Sequence, residues 1–155
     1  MPSALSPFRS TEVVYTKRIA VPLDKAVEFL QDLPALARLS PLIIDVVPTP
    51  NATEAHTYTI SHWVEWPFSY RTTMSYQATG TLLETGIEAR STAGAGTRIT
   101  TQYTAREVEE GVCEIQERAI LYGLFFFLPY IRHVVAGSHQ ESLRRMKDHL
   151  EGKAQ

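Results

Sequence analysis

Between Leu42 and Tyr122 the chain carries a succession of strand-like segments, and only one long helical pattern follows them, an order that leaves few ways to bury a sheet. Turn signals at Pro48–Asn51, Trp66–Pro67, Thr85–Gly86, Gly94–Gly96 and Glu109–Gly111 divide this run. The predicted strands are Leu42–Val47, His56–Glu65, Phe68–Leu82, Gly86–Ser91, Gly96–Val108 and Gly111–Tyr122. An earlier strand is predicted over Glu12–Ala20, where Val13, Val14, Tyr15 and Thr16 favour extended backbone and Pro22 closes it. Two short helices follow, one over Pro22–Asp32 with Ala26, Phe29 and Leu30 at helical spacing, the other over Pro34–Leu39. After Gly123, Ile131, Val135, His139, Leu143, Met146 and Leu150 share one side of a helix, opposite Arg132, Gln140, Glu141, Arg144, Lys147 and Asp148. A run of antiparallel strands with one buried face needs an apolar cover, and only this helix is long enough to supply it. The expected fold class is therefore α+β, a curved antiparallel sheet of about seven strands wrapped around a long C-terminal helix. A cleft between such a sheet and its helix is a natural place for a small apolar ligand.

A length of 155 residues suits one domain, expected over residues 11–151 behind a flexible arm at residues 1–10. Fifteen basic and seventeen acidic residues give a net charge of −2 with no basic stripe, which argues against a nucleic-acid partner. The longest apolar run, Leu124–Pro129, falls far short of the roughly 20 residues a membrane-crossing helix needs. A single cysteine, Cys113, cannot form an internal disulfide, and no leader pattern opens Met1–Ser10, so a cytoplasmic location is expected. The protein is expected to be a monomer or a homodimer.

The segment Leu39-Ser40-Pro41-Leu42-Ile43-Ile44 leads into the second strand, and Gly86-Ile87-Glu88-Ala89-Arg90-Ser91-Thr92-Ala93-Gly94-Ala95-Gly96 is a strand ending in a small-residue turn. With the order of elements, these resemble the START-like or Bet v 1-like (SRPBCC) helix-grip superfamily over roughly residues 12–150, and the two segments are similar to a fungal branch of it. That superfamily includes polyketide cyclases, lipid carriers and ligand-gated modules. The resemblance implies a helix-grip fold and an internal site, and it carries no universal catalytic motif onto this chain.

Strand alternation selects the side chains that face inward. Tyr58, Ile60, His62 and Val64 share one face, as do Tyr70, Thr72, Met74, Tyr76 and Ala78. Ile99, Thr101, Tyr103 and Ala105 form a third set, and Cys113, Ile115, Glu117, Ala119 and Leu121 a fourth, which places Glu117 among apolar neighbours. A carboxyl group there must find a donor or stay protonated, which makes Glu117 the leading acid–base candidate. A one-residue bulge would turn it to water instead. His62 and His139 are the further catalytic candidates, as a polar pair or proton relay across the cavity or as hydrogen-bonded core residues. Tyr58, Tyr70, Met74, Tyr76, Tyr103, Trp66 and Val135 are the expected ligand-binding residues, Trp66 at the rim. The aromatic run from Leu124 to Tyr130 reads equally as a core plug, a pocket floor or a membrane-touching lip.

His62, Glu117 and His139 have no H-x-H or i, i+4 spacing, so no metal is expected. No G-x-S-x-G elbow is present, and Gly94-Ala95-Gly96 lacks the following helix of a phosphate loop, so neither covalent catalysis nor a cofactor is expected. The expected function is binding of a small apolar metabolite with cofactor-free cyclisation or isomerisation, pericyclase-like chemistry included, of a polyketide or terpenoid kind in secondary metabolism. The alternative is a non-catalytic carrier or sensor of a lipid or similar metabolite.

Overall fold

The computed structural model describes residues 6–92 and 94–152. Among them, seven strands form one antiparallel sheet: β1 (Phe8–Ile19), β2 (Ile43–Pro48), β3 (Thr57–Trp66), β4 (Tyr70–Leu83), β5 (Gly86–Thr92), β6 (Arg98–Glu109) and β7 (Val112–Leu124). The order across the sheet is β1-β7-β6-β5-β4-β3-β2, so the strands from β2 to β7 follow one another as hairpin neighbours and β1 joins the outer side of β7. Three α-helices complete the described fold, α1 (Leu23–Leu30), α2 (Leu33–Ala37) and the long α3 (Leu128–Leu150). This is the helix-grip arrangement, with α3 packed on β1 and β7 and α1 packed on β5, β6 and β7.

Each helix forms for local reasons. In α1, Ala26 and Leu30 are a turn apart on the buried face, with Asp24 in the first turn where a negative charge suits the helix dipole. The Asp32 side chain caps α2 by accepting from the Ala35 N–H at 3.1 Å, and Pro34 occupies a first-turn position that lacks an N–H partner anyway. Pro129 does the same for α3, whose last turn carries Lys147 and His149. The far end of α3 is tied to the sheet: Glu151 accepts from the Ala20 N–H at 2.9 Å and Lys147 donates to the Arg18 carbonyl at 3.1 Å.

Two apolar clusters hold the layers together. The larger gathers Ile19, Leu30, Ile60, Ile87, Ile115, Leu143 and Met146; the smaller gathers Val13, Ala119, Leu121, Leu128 and Val135. Glu117 stands between Ile115 and Ala119 on β7, at the seam between the clusters.

Two expectations about the chain need correction. The first strand begins at Phe8, not Glu12, because Phe8–Ser10 pair with Leu124–Tyr122 and the Phe8 ring stacks on Tyr122 at 5.4 Å. Part of the expected arm is thus sheet, while residues 1–5 lie outside the described residues. Phe68 does not open β4, since Pro67–Ser69 form a 3₁₀ turn in which Phe68 and Ser69 both take left-handed backbone, φ 65° and 60°.

Candidate active site

A cavity of about 220 Å³ lies between the concave face of the sheet and α3. Its walls are mostly apolar, from Leu36, Ile43, Ile60, Ala78, Ile99 and Val135 among others. The polar groups that reach it include His62, Tyr76, Tyr103 and His139. A hydroxyl pair on its rim, Ser40 Oγ and Ser138 Oγ at 2.9 Å, ties the loop after α2 to α3.

Strand register builds the polar cluster. On the face toward α3, β6 sets Tyr103 directly opposite Glu117 of β7, and β1 sets Tyr15 on Glu117's other side. The one register shift between β6 and β7 lies at Glu107/Glu109, near the turn and past Ala105–Ile115, so it leaves the inward direction of Glu117 unchanged. Glu117 has 0 % of its surface exposed. Its Oε1 accepts from the Tyr103 hydroxyl at 3.1 Å and abuts His139 Nδ1, while among the described residues neither Oε2 nor His139 Nδ1 has a hydrogen-bond partner. The cavity wall is made by Tyr103 and His139, and Glu117 is sealed behind them.

Burial tunes each group. Desolvation holds the His139 imidazole well below its usual range, lowered to about 4, so the ring is neutral at neutral pH. Burial lowers His62 as well, partly opposed by a hydrogen bond with the Trp63 backbone. The Tyr76 hydroxyl is pushed up to about 12 by burial, and Tyr103 is raised further by burial and by Tyr76, so both keep their protons as donors. The His62 ring meets the Tyr76 ring edge-on, centroids 5.0 Å apart.

The structure therefore brings together Glu117, His139, Tyr103, Tyr76, His62 and Val135 at or just behind one cavity. It does not bring the rest. Tyr70, Met74 and Trp66 are exposed. Trp66 Nε1 instead donates to Thr72 Oγ1 at 2.8 Å. Tyr58 packs against the core and lines a separate open groove beside α1. Sequence reasoning missed Tyr15, Ser40 and Ser138. The alternation of β1 would have put Tyr15 on the face of Val13, but the seryl pair depends on a loop that no periodicity describes. Among the described residues no three His, Cys, Asp or Glu side chains gather as metal ligands, and no helix is long and apolar enough to cross a membrane.

Solved structures share this architecture. The chain superposes on the di-domain aromatase/cyclase StfQ of the steffimycin biosynthetic pathway with a TM-score of 0.67 and 15% identity, over 92% of its own length and 51% of StfQ's; it thus spans about half of that protein. It matches the ZhuI aromatase/cyclase of Streptomyces sp. R1128 with a TM-score of 0.69 and 12% identity, over 92% of this chain and 94% of that one. A START superfamily protein from Mycobacterium smegmatis matches with a TM-score of 0.69 and 10% identity, over 91% and 97% of the two chains. At such identities the likeness establishes the helix-grip fold alone. No curated protein matches the sequence. A family model does: the one described as polyketide cyclase / dehydrase and lipid transport covers residues 10–151, and the chain belongs to that family.

Proposed function

We propose that the protein takes an apolar, enolisable metabolite of the polyketide or terpenoid kind into this cavity and promotes its cyclisation or isomerisation without a cofactor. The observation that carries this reading is a neutral histidine on the cavity wall, His139, whose Nδ1 meets a carboxyl group sealed behind it. A base oriented by a buried partner is a recurring arrangement for proton abstraction. With Nδ1 turned to Glu117, Nε2 is the ring nitrogen left for a ligand.

In this scheme His139 Nε2 takes a proton from the carbon beside a substrate carbonyl, and the Tyr76 hydroxyl hydrogen-bonds the oxygen as enolate charge develops on it. For cyclisation, the enolate carbon bonds to a second carbonyl carbon of the same molecule, and His139 returns the proton to the new alkoxide. For isomerisation, the proton returns to a different carbon. Glu117 acts as a positioning residue that fixes the imidazole and steadies its positive charge. The apolar walls fold the substrate and exclude water. A cavity of about 150 Å³ holds a benzene-sized molecule, so this one suits roughly a substituted single ring or a small bicycle.

The test is native mass spectrometry of the protein purified from its own host, followed by extraction of the co-purifying molecule and its incubation with fresh protein. A retained molecule converted by the native chain, and at least 100-fold more slowly by Glu117→Gln and His139→Gln variants that keep their fold, supports the reading. A molecule that binds and is released unchanged by all three overturns it in favour of the carrier, which the same apolar cavity would equally serve.

A further inference from the structure

Between the two aromatic segments the chain runs through β4 to β7 and their turns, yet the fold brings both to one end. The turn between β3 and β4 carries Trp66, Phe68 and Tyr70, and the link from β7 to α3 carries Phe125, Phe126 and Phe127; all six are exposed. The Tyr130 hydroxyl donates to the Glu65 carbonyl, which joins the two segments into one surface. Phe68 is 102 % exposed, and it is held so by two successive left-handed residues, Phe68 and Ser69, neither of them glycine. Such backbone is costly and persists where the surroundings impose it; here its effect is to present an aromatic ring to the outside.

We propose that this end of the molecule docks on an anionic lipid surface, the aromatic rings entering the interface and Arg9, Arg98 and Arg132 meeting headgroup phosphates. Charge selects this occupant. Among the described residues these three arginines form no ion pair with a carboxylate. Arg9 is held by the Ser6 and Phe8 carbonyls beside the Phe125 backbone, which bonds to Pro7. Arg98 lies over the Tyr122 ring at 4.4 Å, and Arg132 donates to Thr11 Oγ1 at 2.6 Å. The nearby carboxylate, Glu65, is itself matched by Arg71 at 3.6 Å. The topology puts Glu28, Glu84, Glu107, Glu109 and Glu110 at the opposite end, on α1, the end of β6 and the β4–β5 and β6–β7 turns, where they outnumber Lys25 and Arg106. A chain with net charge −2 thus has an aromatic, cationic pole facing away from its acidic one. Aromatic rings at headgroup depth with arginines beside them suit an anionic bilayer surface. A second copy of the chain suits it less, since a two-fold contact through this face would crowd the same unpaired arginines together.

This inference stands apart from the chemistry in the cavity. Its test is flotation of the full chain with vesicles of phosphatidylcholine alone and of phosphatidylcholine mixed with phosphatidylglycerol, at low and high salt, with tryptophan emission as a second readout. Binding to the mixed vesicles that weakens at high salt, with a blue shift of the emission, is expected. The double variant Phe68→Ser/Phe126→Ser should lower the partition coefficient about tenfold or more, and Arg98→Glu/Arg132→Glu should remove the preference for the anionic lipid. Circular dichroism and melting temperature check that both keep the fold. No binding to either vesicle, binding unmoved by both variants, or a dimer in solution that Phe68→Ser/Phe126→Ser abolishes would each overturn the proposal.

Discussion

Glu117 is the residue on which the site turns, and its position follows from register rather than from any motif. Period-two alternation on β7 puts it on the face of Ile115 and Ala119, and the pairing with β6 then sets Tyr103 across from it. His139 arrives from α3, one helical turn before Leu143 on the buried side. Its pKa, lowered to about 4, links to stability with a definite sign. Well above pH 6.5 the ring is neutral folded or unfolded and contributes no dependence. As pH falls below that, the unfolded ring takes up a proton that the folded one resists, so stability declines until the folded ring also protonates near pH 4. Between pH 7 and pH 5 the loss should reach at most about 2 kcal/mol, an upper value because the ring keeps 19% of its side-chain surface open. Urea titrations at the two pH values should show it, and His139→Gln should flatten the slope; an unchanged slope in the variant would assign the effect elsewhere. The inward direction of Glu117, His62, Tyr76 and Tyr103 was legible in the sequence because alternation is a local property. That Glu117 sits behind His139 and not on the wall was not legible, because depth depends on how tightly the sheet curls around α3.

At the scale of elements, the order of strands and helices could be read from turn residues and periodicity, and the boundaries moved by only a residue or two at most strands. What alternation could not give was coverage. Tyr70 and Met74 lie on the same face as Tyr76, yet they are exposed, since a strand's face is inside only where another layer lies over it. The left-handed Phe68 was similarly hidden, because nothing in Pro67-Phe68-Ser69 demands that backbone. Close approach between strands is another matter of elements. Gly86 opens β5 opposite Thr104, and a Cβ there would collide with the carbonyl oxygen of Tyr103. Gly86→Ala must push β6 away or bend β5, at a cost of about 1–3 kcal/mol or more. Because the displaced carbonyl belongs to a residue of the cavity wall, ligand affinity should fall with the melting temperature. A variant that melts like the native protein would show that β6 yields freely at this point.

For the molecule as a whole, the distinctive feature is that the first strand pairs with the last. Strands β2 to β7 are joined as successive hairpin neighbours, but β1 reaches β7 across most of the chain, as in the pairs Phe8–Leu124 and Ile19–Cys113. Its two ends are fastened differently. Near Ile19 the backbone is tied to α3 through Glu151 and Lys147, whereas near Phe8 it is held by strand pairing and the ring stack on Tyr122. The sequence suggested a flexible arm through Ser10, and a stacked ring leaves no periodic trace. Deleting the chain through Ser10 removes three cross-strand pairs and the stack, worth about 2 kcal/mol together. For a domain of this size that corresponds to a fall in melting temperature of about 4–8 °C. Phe8→Ser at full length should account for roughly half of it, since the pairing survives and only the stack is lost. The same deletion uncovers the end of β7 that leads into Phe125–Phe127, so the truncated chain should also become easier to cleave there by limited proteolysis, while Phe8→Ser should not. Equal melting temperatures for the full and truncated chains would mean that α3 alone holds β7 in place and that β1 closes the sheet without stabilising it.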